Sequence, residues 1–132
     1  MPRPDQVYHK RELEKDYCYA QAVKAGNTLY ISGCVSWDTD GNVIGEGDMG
    51  AQGAAAYTDI KEALEAHGGT FQNVVKETVF TTDMDALEEN NHIRTQFYTD
   101  AGSGPPASTW IGCTRLADTG MMIEVECIAV IE

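Results

Sequence analysis

The end of the chain carries the clearest alternation of apolar and polar side chains. From Met121 to Ile131 every odd position is apolar, whereas the even positions include Glu124 and Glu126. Successive side chains of a strand point to opposite faces of a sheet, so the odd positions are predicted to face helices. The face formed by the even positions is too apolar to be fully exposed to solvent and too charged to lie in a dry core. We therefore expect it to face another subunit around a partly hydrated interior.

Further strands are indicated by runs of β-branched and aromatic residues. The first two, Tyr19 to Val23 and Thr28 to Ser32, form a hairpin around residues 24–27. A short extended segment at 42–44 follows an Asp-Gly turn. The other predicted strands are Val74 to Thr81 and Ala107 to Cys113.

Two helices are predicted from apolar residues at helical spacing. The first has Asp48 as its N-cap and runs to His67, where two glycines end it. The second begins at Asp85, whose spacing to Glu88 resembles a capping box, and runs to about Tyr98. Both are expected to lie on the same face of the sheet.

The predicted order is ββαβαββ, an α+β fold in a single domain over residues 1–132. Because two helices cover only one face of the sheet, we expect self-association through the other face. A chain of 132 residues is also short for a deep active-site cleft of its own, which favours a site shared between subunits.

Charge and composition exclude several classes of partner. The formal net charge is −12, with only 9 Lys and Arg residues and no basic run, so neither nucleic acid nor an anionic membrane is an expected partner. Apolar runs are far shorter than the ~20 residues of a membrane helix. The N-terminal segment lacks the apolar core of a secretion signal, so we predict a cytoplasmic protein.

Metal and cofactor chemistry is not indicated by the sequence. The three histidines show no ligand spacing, and no Cys-x-x-C pair occurs among Cys18, Cys34, Cys113 and Cys127. We therefore expect free thiols, no metal site and no cofactor.

Several segments together resemble the RidA/YjgF family of reactive-intermediate deaminases, also called L-PSP endoribonucleases. The segments are Tyr19-Ala20-Gln21-Ala22-Val23, Ile31-Ser32-Gly33, Pro106-Ala107, Arg115-Leu116 and Ile123-Glu124-Val125-Glu126-Cys127-Ile128-Ala129-Val130. The resemblance implies a chorismate-mutase-like fold, a homotrimer with a central β-barrel, and clefts between subunits. It also implies cofactor-free hydrolysis of small enamines and imines to a ketoacid and ammonia.

The resemblance assigns roles to several residues of such a cleft. Glu124 is expected to hold the attacking water, and Tyr19 to line the cleft. Ser32 and Gly33 are expected to meet the substrate through backbone groups, and Asn91 to lie near the mouth.

One position departs from the pattern. The family carries an arginine third in its Pro-Ala-Arg-Ser segment, where it grips the substrate carboxylate, and this chain has Ser108 there. A hydroxyl offers one neutral donor in place of a bidentate charged contact, so we expect a standard α-imino acid not to be the substrate. Thr109 is a second candidate hydroxyl for substrate contact, and Trp110 is expected to form an apolar wall.

Two other functions remain open from the sequence. The alternative is that the loss of the arginine at position 108 abolished catalysis, and that the protein is a non-catalytic trimer that binds a small metabolite or a client protein. A ribonuclease is disfavoured by the acidic balance and by the lack of a basic groove.

Overall fold

Six strands form one sheet in the computed structural model, which describes residues 3–132. The strands are β1 (Val7–Tyr8), β2 (Ala22–Ala25), β3 (Thr28–Cys34), β4 (Val74–Thr81), β5 (Ala107–Gly112) and β6 (Ile123–Val130). Their order in the sheet is β1-β2-β3-β6-β4-β5. Strands β4 and β5 are parallel, and every other neighbouring pair is antiparallel.

In the described part of the chain, four α-helices complete a mixed α+β fold. They are α1 (Glu12–Asp16), α2 (Met49–Ala66), α3 (Met84–Glu89) and α4 (Asn91–Asp100). Helix α2 packs on β3 and β6 and contacts α4. Within residues 3–132, none of the helices combines the length and the apolar character needed to cross a bilayer.

The predicted alternation of the last strand is confirmed. Ile123, Val125, Cys127 and Ala129 are buried toward the helices, while the even positions are half-buried or exposed. The strand is shorter than predicted, because the amide of Met121 is bonded in a turn to the carbonyl of Asp118.

The first predicted helix is also confirmed. The carboxylate of Asp48 accepts a hydrogen bond from the backbone N–H of Ala51 at 3.0 Å, which caps the first turn of α2. The helix ends at Ala66, and Gly68 adopts a positive φ of 75° just beyond it.

The second predicted helix was wrong in its start and in its continuity. Asp83, not Asp85, is the N-cap of α3, and its side chain accepts from the N–H of Ala86. Asn90 then leaves the helical conformation, at φ −106° and ψ 12°, and separates α3 from α4. Spacing alone did not reveal this break, because both segments carry helix-forming residues.

The sequence also misplaced or missed elements near the N-terminus. Strand β2 begins at Ala22 rather than Tyr19, and residues 42–44 form only an isolated bridge between Val43 and Trp37. Strand β1 and helix α1 were not predicted, because segments of two and five residues are too short to show a period.

The face of the sheet opposite the helices is uncovered by the described residues. We call it the open face; it carries the even positions of β6 together with Tyr30 of β3 and Ile111 of β5. Tyr30, Ile111 and Val130 are 51%, 40% and 38% exposed. An apolar sheet face of this kind is typical of a subunit interface.

On the helix-facing side, a charged residue stands in the middle of β4. Glu77 is fully buried, and its carboxylate accepts four hydrogen bonds. Oε1 accepts from the hydroxyls of Tyr57 at 2.9 Å and Tyr98 at 2.8 Å. Oε2 accepts from Nε of Arg94 and from Oγ of Ser108 at 2.6 Å. These bonds connect α2, α4, β4 and β5 at one point.

We predict that Glu77→Ala lowers the free energy of unfolding by about 3–5 kcal/mol, because it leaves the guanidinium of Arg94 without its buried partner. Chemical denaturation measures the change. Glu89→Ala, an exposed position at the end of α3, serves as the control and is expected to change stability by less than about 0.5 kcal/mol. Equal stability of the two variants would show that the Glu77 cluster does not hold the fold together.

Candidate functional site

Glu124 lies on the open face of β6 and packs against an irregular part of β3. The β3–β6 register shifts between Ile31 and Cys34, and Gly33 lies in that stretch. A Cβ added to Gly33 would lie 2.5 Å from Oε2 of Glu124, closer than real Cβ contacts. A glycine is therefore required for the carboxylate to occupy this position.

The Glu124 carboxylate faces a cleft of about 420 Å³. Its lining residues come from the α1–β2 loop, the end of β3 and the segment after it, the β5–β6 connection and β6: Tyr17, Tyr19, Gly33, Val35, Trp37, Gly41, Ala117, Asp118, Met121 and Glu124. We call it the Glu124 cleft. Three of the predicted site residues, Tyr19, Gly33 and Glu124, therefore lie together.

The carboxylate of Glu124 is electrostatically suited to proton transfer. Burial raises its pKa, and the negative charge of Glu126 raises it further. No described residue hydrogen-bonds to this carboxylate. Among residues 3–132 the one fully buried side-chain oxygen or nitrogen without a partner is Oε2 of Glu14, so both oxygens of Glu124 reach solvent. Such a group can accept a proton from water and return it.

Tyr19 contributes a neutral hydroxyl to the same cleft. Burial, and then the charge of Glu14, raise the pKa of Tyr19 to about 12. The phenol therefore stays protonated at neutral pH. Its hydroxyl bonds to no described side chain or backbone group, so it is available as a donor to a bound molecule.

Ser32 is positioned differently from the prediction. Its N–H donates to the carbonyl of Gln21 at 2.9 Å, and its hydroxyl donates to the carbonyl of Ala20 at 2.6 Å. Both donors are used within the chain. Of the predicted pair, only Gly33 lines the Glu124 cleft.

A second group of predicted residues meets on the helix-facing side of β5. Ser108 bonds to Glu77, and Trp110 lies with its ring 5.9 Å from the guanidinium carbon of Arg94. Asn91, the first residue of α4, contacts Nη1 of Arg94 through its side-chain oxygen at 3.4 Å. We call Asn91, Arg94, Ser108 and Trp110 the Arg94 cluster.

Thr109 does not join the Arg94 cluster. Its hydroxyl accepts from Nζ of Lys76 at 2.7 Å, on the open face of the sheet. Because neighbouring side chains of a strand alternate between faces, Thr109 points away from Ser108 and Trp110.

The Glu124 cleft and the Arg94 cluster cannot form one site within a single chain. Glu124 pairs with Phe80 and Ser108 pairs with Glu77, three positions apart on β4, or about 10 Å along the strand. They also lie on strands on either side of β4 and on opposite faces of the sheet. A common site requires a second copy of the chain.

Sequence reasoning missed one member of the Arg94 cluster, Arg94 itself, and also missed Glu77, which supports the cluster. Arg94 stands three residues after Asn91, one helical turn away, which was an available signal for a shared position. Glu77 lies in the middle of the β-branched run Val74 to Thr81, where a carboxylate signals a buried partner. Burial lowers the pKa of Arg94, but the charge and hydrogen bond of Glu77, together with Tyr57 and Tyr98, outweigh it and raise that pKa, so the guanidinium is charged.

Metal ligation has no evident place in the described part of the chain. Across residues 3–132, His, Cys, Asp and Glu side chains do not gather in any group of three or more that would hold an ion.

Comparison with known proteins identifies the family. The sequence profile described as Endoribonuclease L-PSP matches residues 10–131. The chain belongs to this family. A RutC family protein of Pyrococcus horikoshii is 34% identical over 111 residues, which cover 84% of this chain and 85% of that protein. The 2-iminobutanoate/2-iminopropanoate deaminase of Bos taurus is 34% identical over 112 residues, covering 85% and 79%.

Solved structures of family members share the fold. The E. coli YjgF gene product superposes with a TM-score of 0.78 at 31% identity, covering 85% of this chain and 87% of that one. Rv2704 of Mycobacterium tuberculosis, from the YjgF/YER057c/UK114 family, gives 0.79 at 25% identity and covers 96% and 98%. The RidA/YjgF resemblance predicted from the sequence is thus confirmed, together with the mixed α+β fold.

The surroundings of Glu124 predict a raised pKa for its carboxyl group. We expect NMR of the side-chain carboxyl to give a pKa above the ordinary glutamate value, because burial and Glu126 both disfavour the charged form. Glu126→Gln removes the second cause and is expected to lower the pKa of Glu124 while leaving it raised. The control Glu89→Gln should not shift it. A pKa of Glu124 at or below the ordinary value would contradict this account of the cleft.

Proposed function

We propose that this protein hydrolyses the C=N bond of a small imine, or of the enamine that tautomerises to it, with Glu124 as the general base. The observation that carries the proposal is the half-buried carboxylate of Glu124, which has no hydrogen-bond partner in the described part of the chain and whose pKa is raised. Deaminases of 2-imino acids among the relatives support the same reaction class. No cofactor takes part in the proposed reaction.

The chemistry requires one water and one proton carrier. Glu124 takes a proton from water as the oxygen bonds to the imine carbon and returns that proton to the nitrogen, which gives a carbinolamine with hydroxyl and amine on the same carbon. Glu124 then takes the hydroxyl proton and passes it to the nitrogen as the C–N bond breaks, so that ammonia leaves and a carbonyl remains. A carboxyl group with a raised pKa suits both directions of transfer. The hydroxyl of Tyr19 and the backbone of Gly33 are proposed to orient the substrate.

The proposed site lies between subunits of a homotrimer whose open faces form a central β-barrel. The apolar side chains exposed on the open face support self-association. The separation of the Glu124 cleft from the Arg94 cluster supports a shared site, because only another copy can bring the two together. Each cleft of the trimer would then combine the Glu124 cleft of one subunit with the Arg94 cluster of the next.

We expect sedimentation equilibrium to give three times the 14.4 kDa mass of the chain. Tyr30→Glu places a charge on the open face and is expected to shift the protein to smaller species, because an unpaired buried charge is costly. Ile44→Glu, at an exposed apolar residue outside the sheet, is the control and should leave the mass unchanged. A stable wild-type monomer would overturn the shared site.

The identity of the substrate depends on how the site treats a carboxylate. The expectation that a standard α-imino acid is not the substrate rests on Ser108 alone. The charged guanidinium of Arg94 stands beside Ser108, and both bond to the same oxygen of Glu77. RNA is not the proposed substrate, because a net charge of −12 repels a phosphate backbone.

We predict that Glu124→Gln lowers the rate of ammonia release from a freshly generated small imine, tested both with and without a carboxylate, by about 100-fold or more, the usual contribution of a general base. A coupled ammonia assay measures it. Glu89→Gln is the matched control and should keep the wild-type rate. Wild-type rates should also rise with pH through the pKa of Glu124, because only its ionised form accepts a proton.

Two outcomes would contradict the hydrolase. One is full activity in Glu124→Gln with an intact oligomer. The other is a wild-type protein that accelerates no imine hydrolysis, and retention of a small ligand in that case would favour the non-catalytic binding trimer.

A further inference from the structure

The guanidinium of Arg94 is anchored on one side and open on the other. Its Nε donates to Glu77, and its Nη1 has a long contact of 3.4 Å with Asn91. Nη2 bonds to no described residue and is not among the fully buried unpartnered atoms, so it reaches solvent. The side chain as a whole is 14% exposed. The edge formed by Nη1 and Nη2 is therefore free to bind a ligand.

The surroundings hold that edge in place before any ligand arrives. The guanidinium carbon lies 5.4 Å from the ring centre of Tyr98 and 5.9 Å from that of Trp110. Cation–π contact with two rings and the bond to Glu77 restrict the side chain, so little conformational entropy remains to be lost on binding. A planar pair of N–H donors in fixed orientation matches the two oxygens of a carboxylate.

Ser108 contributes to this arrangement without binding the ligand itself. Its hydroxyl donates to Oε2 of Glu77, the same oxygen that Nε of Arg94 reaches. The hydroxyl is consumed by Glu77, so the charged donor available to a ligand is Arg94. Since Glu77 offsets much of the positive charge, recognition depends on the geometry of the two N–H groups more than on long-range attraction.

We propose that the Nη1–Nη2 edge of Arg94 binds the carboxylate of the substrate, with Asn91 and Trp110 beside it, and thereby selects small imines that carry a carboxylate. This inference rests on the proposed function, because the substrate is the imine that Glu124 hydrolyses. It places the arginine that binds the substrate carboxylate on helix α4, at Arg94, rather than at position 108 on strand β5. A serine at position 108 is then compatible with an α-imino acid substrate.

The test compares the binding of two ligands of similar shape, one with a carboxylate and one with a neutral amide in its place, and it requires no turnover. Calorimetric titration of the wild-type protein with pyruvate and with pyruvamide measures the preference for a carboxylate. We expect pyruvate to bind about 10- to 100-fold more tightly, as befits a charge-assisted bidentate contact.

Two variants separate binding from folding. Arg94→Gln combined with Glu77→Gln removes both charges and so avoids a buried, unpaired carboxylate. Arg94→Lys keeps a cation near Glu77 but loses the planar fork, and it serves if the double variant does not fold. Each is expected to abolish most of the preference for pyruvate. Adding Ser108→Arg to the double variant should restore it, because a guanidinium returns to the same cluster.

The outcomes distinguish this inference from the proposed function. Equal binding of pyruvate and pyruvamide by the wild-type protein, or a preference unchanged in both Arg94 variants, overturns the role of Arg94. Glu124→Gln should retain the preference, since Glu124 acts on water. A wild-type protein that prefers pyruvate but hydrolyses no imine would reject the hydrolase and leave the carboxylate site standing.

Discussion

A single buried carboxylate determines how the helices of this protein meet its sheet. Glu77 carries a charge in the interior of β4, and a charge in that position is stable only when it is fully paired. Two tyrosine hydroxyls, one guanidinium and one serine hydroxyl satisfy it. The same bonds place Arg94 and Ser108 next to each other. The position of the guanidinium that is proposed to bind the substrate carboxylate is therefore a consequence of the hydrogen bonds that stabilise the buried charge of Glu77.

The carboxylates of Glu77 and Glu124 have opposite roles because their partners differ. Glu77 accepts four hydrogen bonds and has no capacity left for a ligand. Glu124 has no hydrogen-bond partner among residues 3–132, and its position depends on the missing side chain of Gly33. A saturated acid stabilises a fold, whereas an unsaturated acid near water can exchange protons. The partners around each acid, rather than its residue type, separate structure from chemistry here.

The sequence named most of the candidate site but not its arrangement. The resemblance selected Tyr19, Gly33 and Glu124, which lie in one cleft. It also selected Ser108 and Thr109 as neighbouring hydroxyls, yet the pleat of β5 turns them to opposite faces of the sheet. Strand register decides which neighbours each face has, and register depends on contacts with other strands that a local pattern does not contain. The separation of the Glu124 cleft from the Arg94 cluster could therefore not be recognised before the sheet was known.

What the sequence determined by itself was local in origin. Asp48 and the glycine at 68 set the ends of α2, and the alternation of residues 123–130 fixed which face of β6 is buried, because capping and side-chain period act over a few residues. The family also followed from the sequence. Only the tertiary structure decided the break at Asn90 and the pairing of Arg94 with Glu77. The bonds to Glu77 come from residues 17 to 31 positions away along the chain, and no local propensity specifies contacts over such separations.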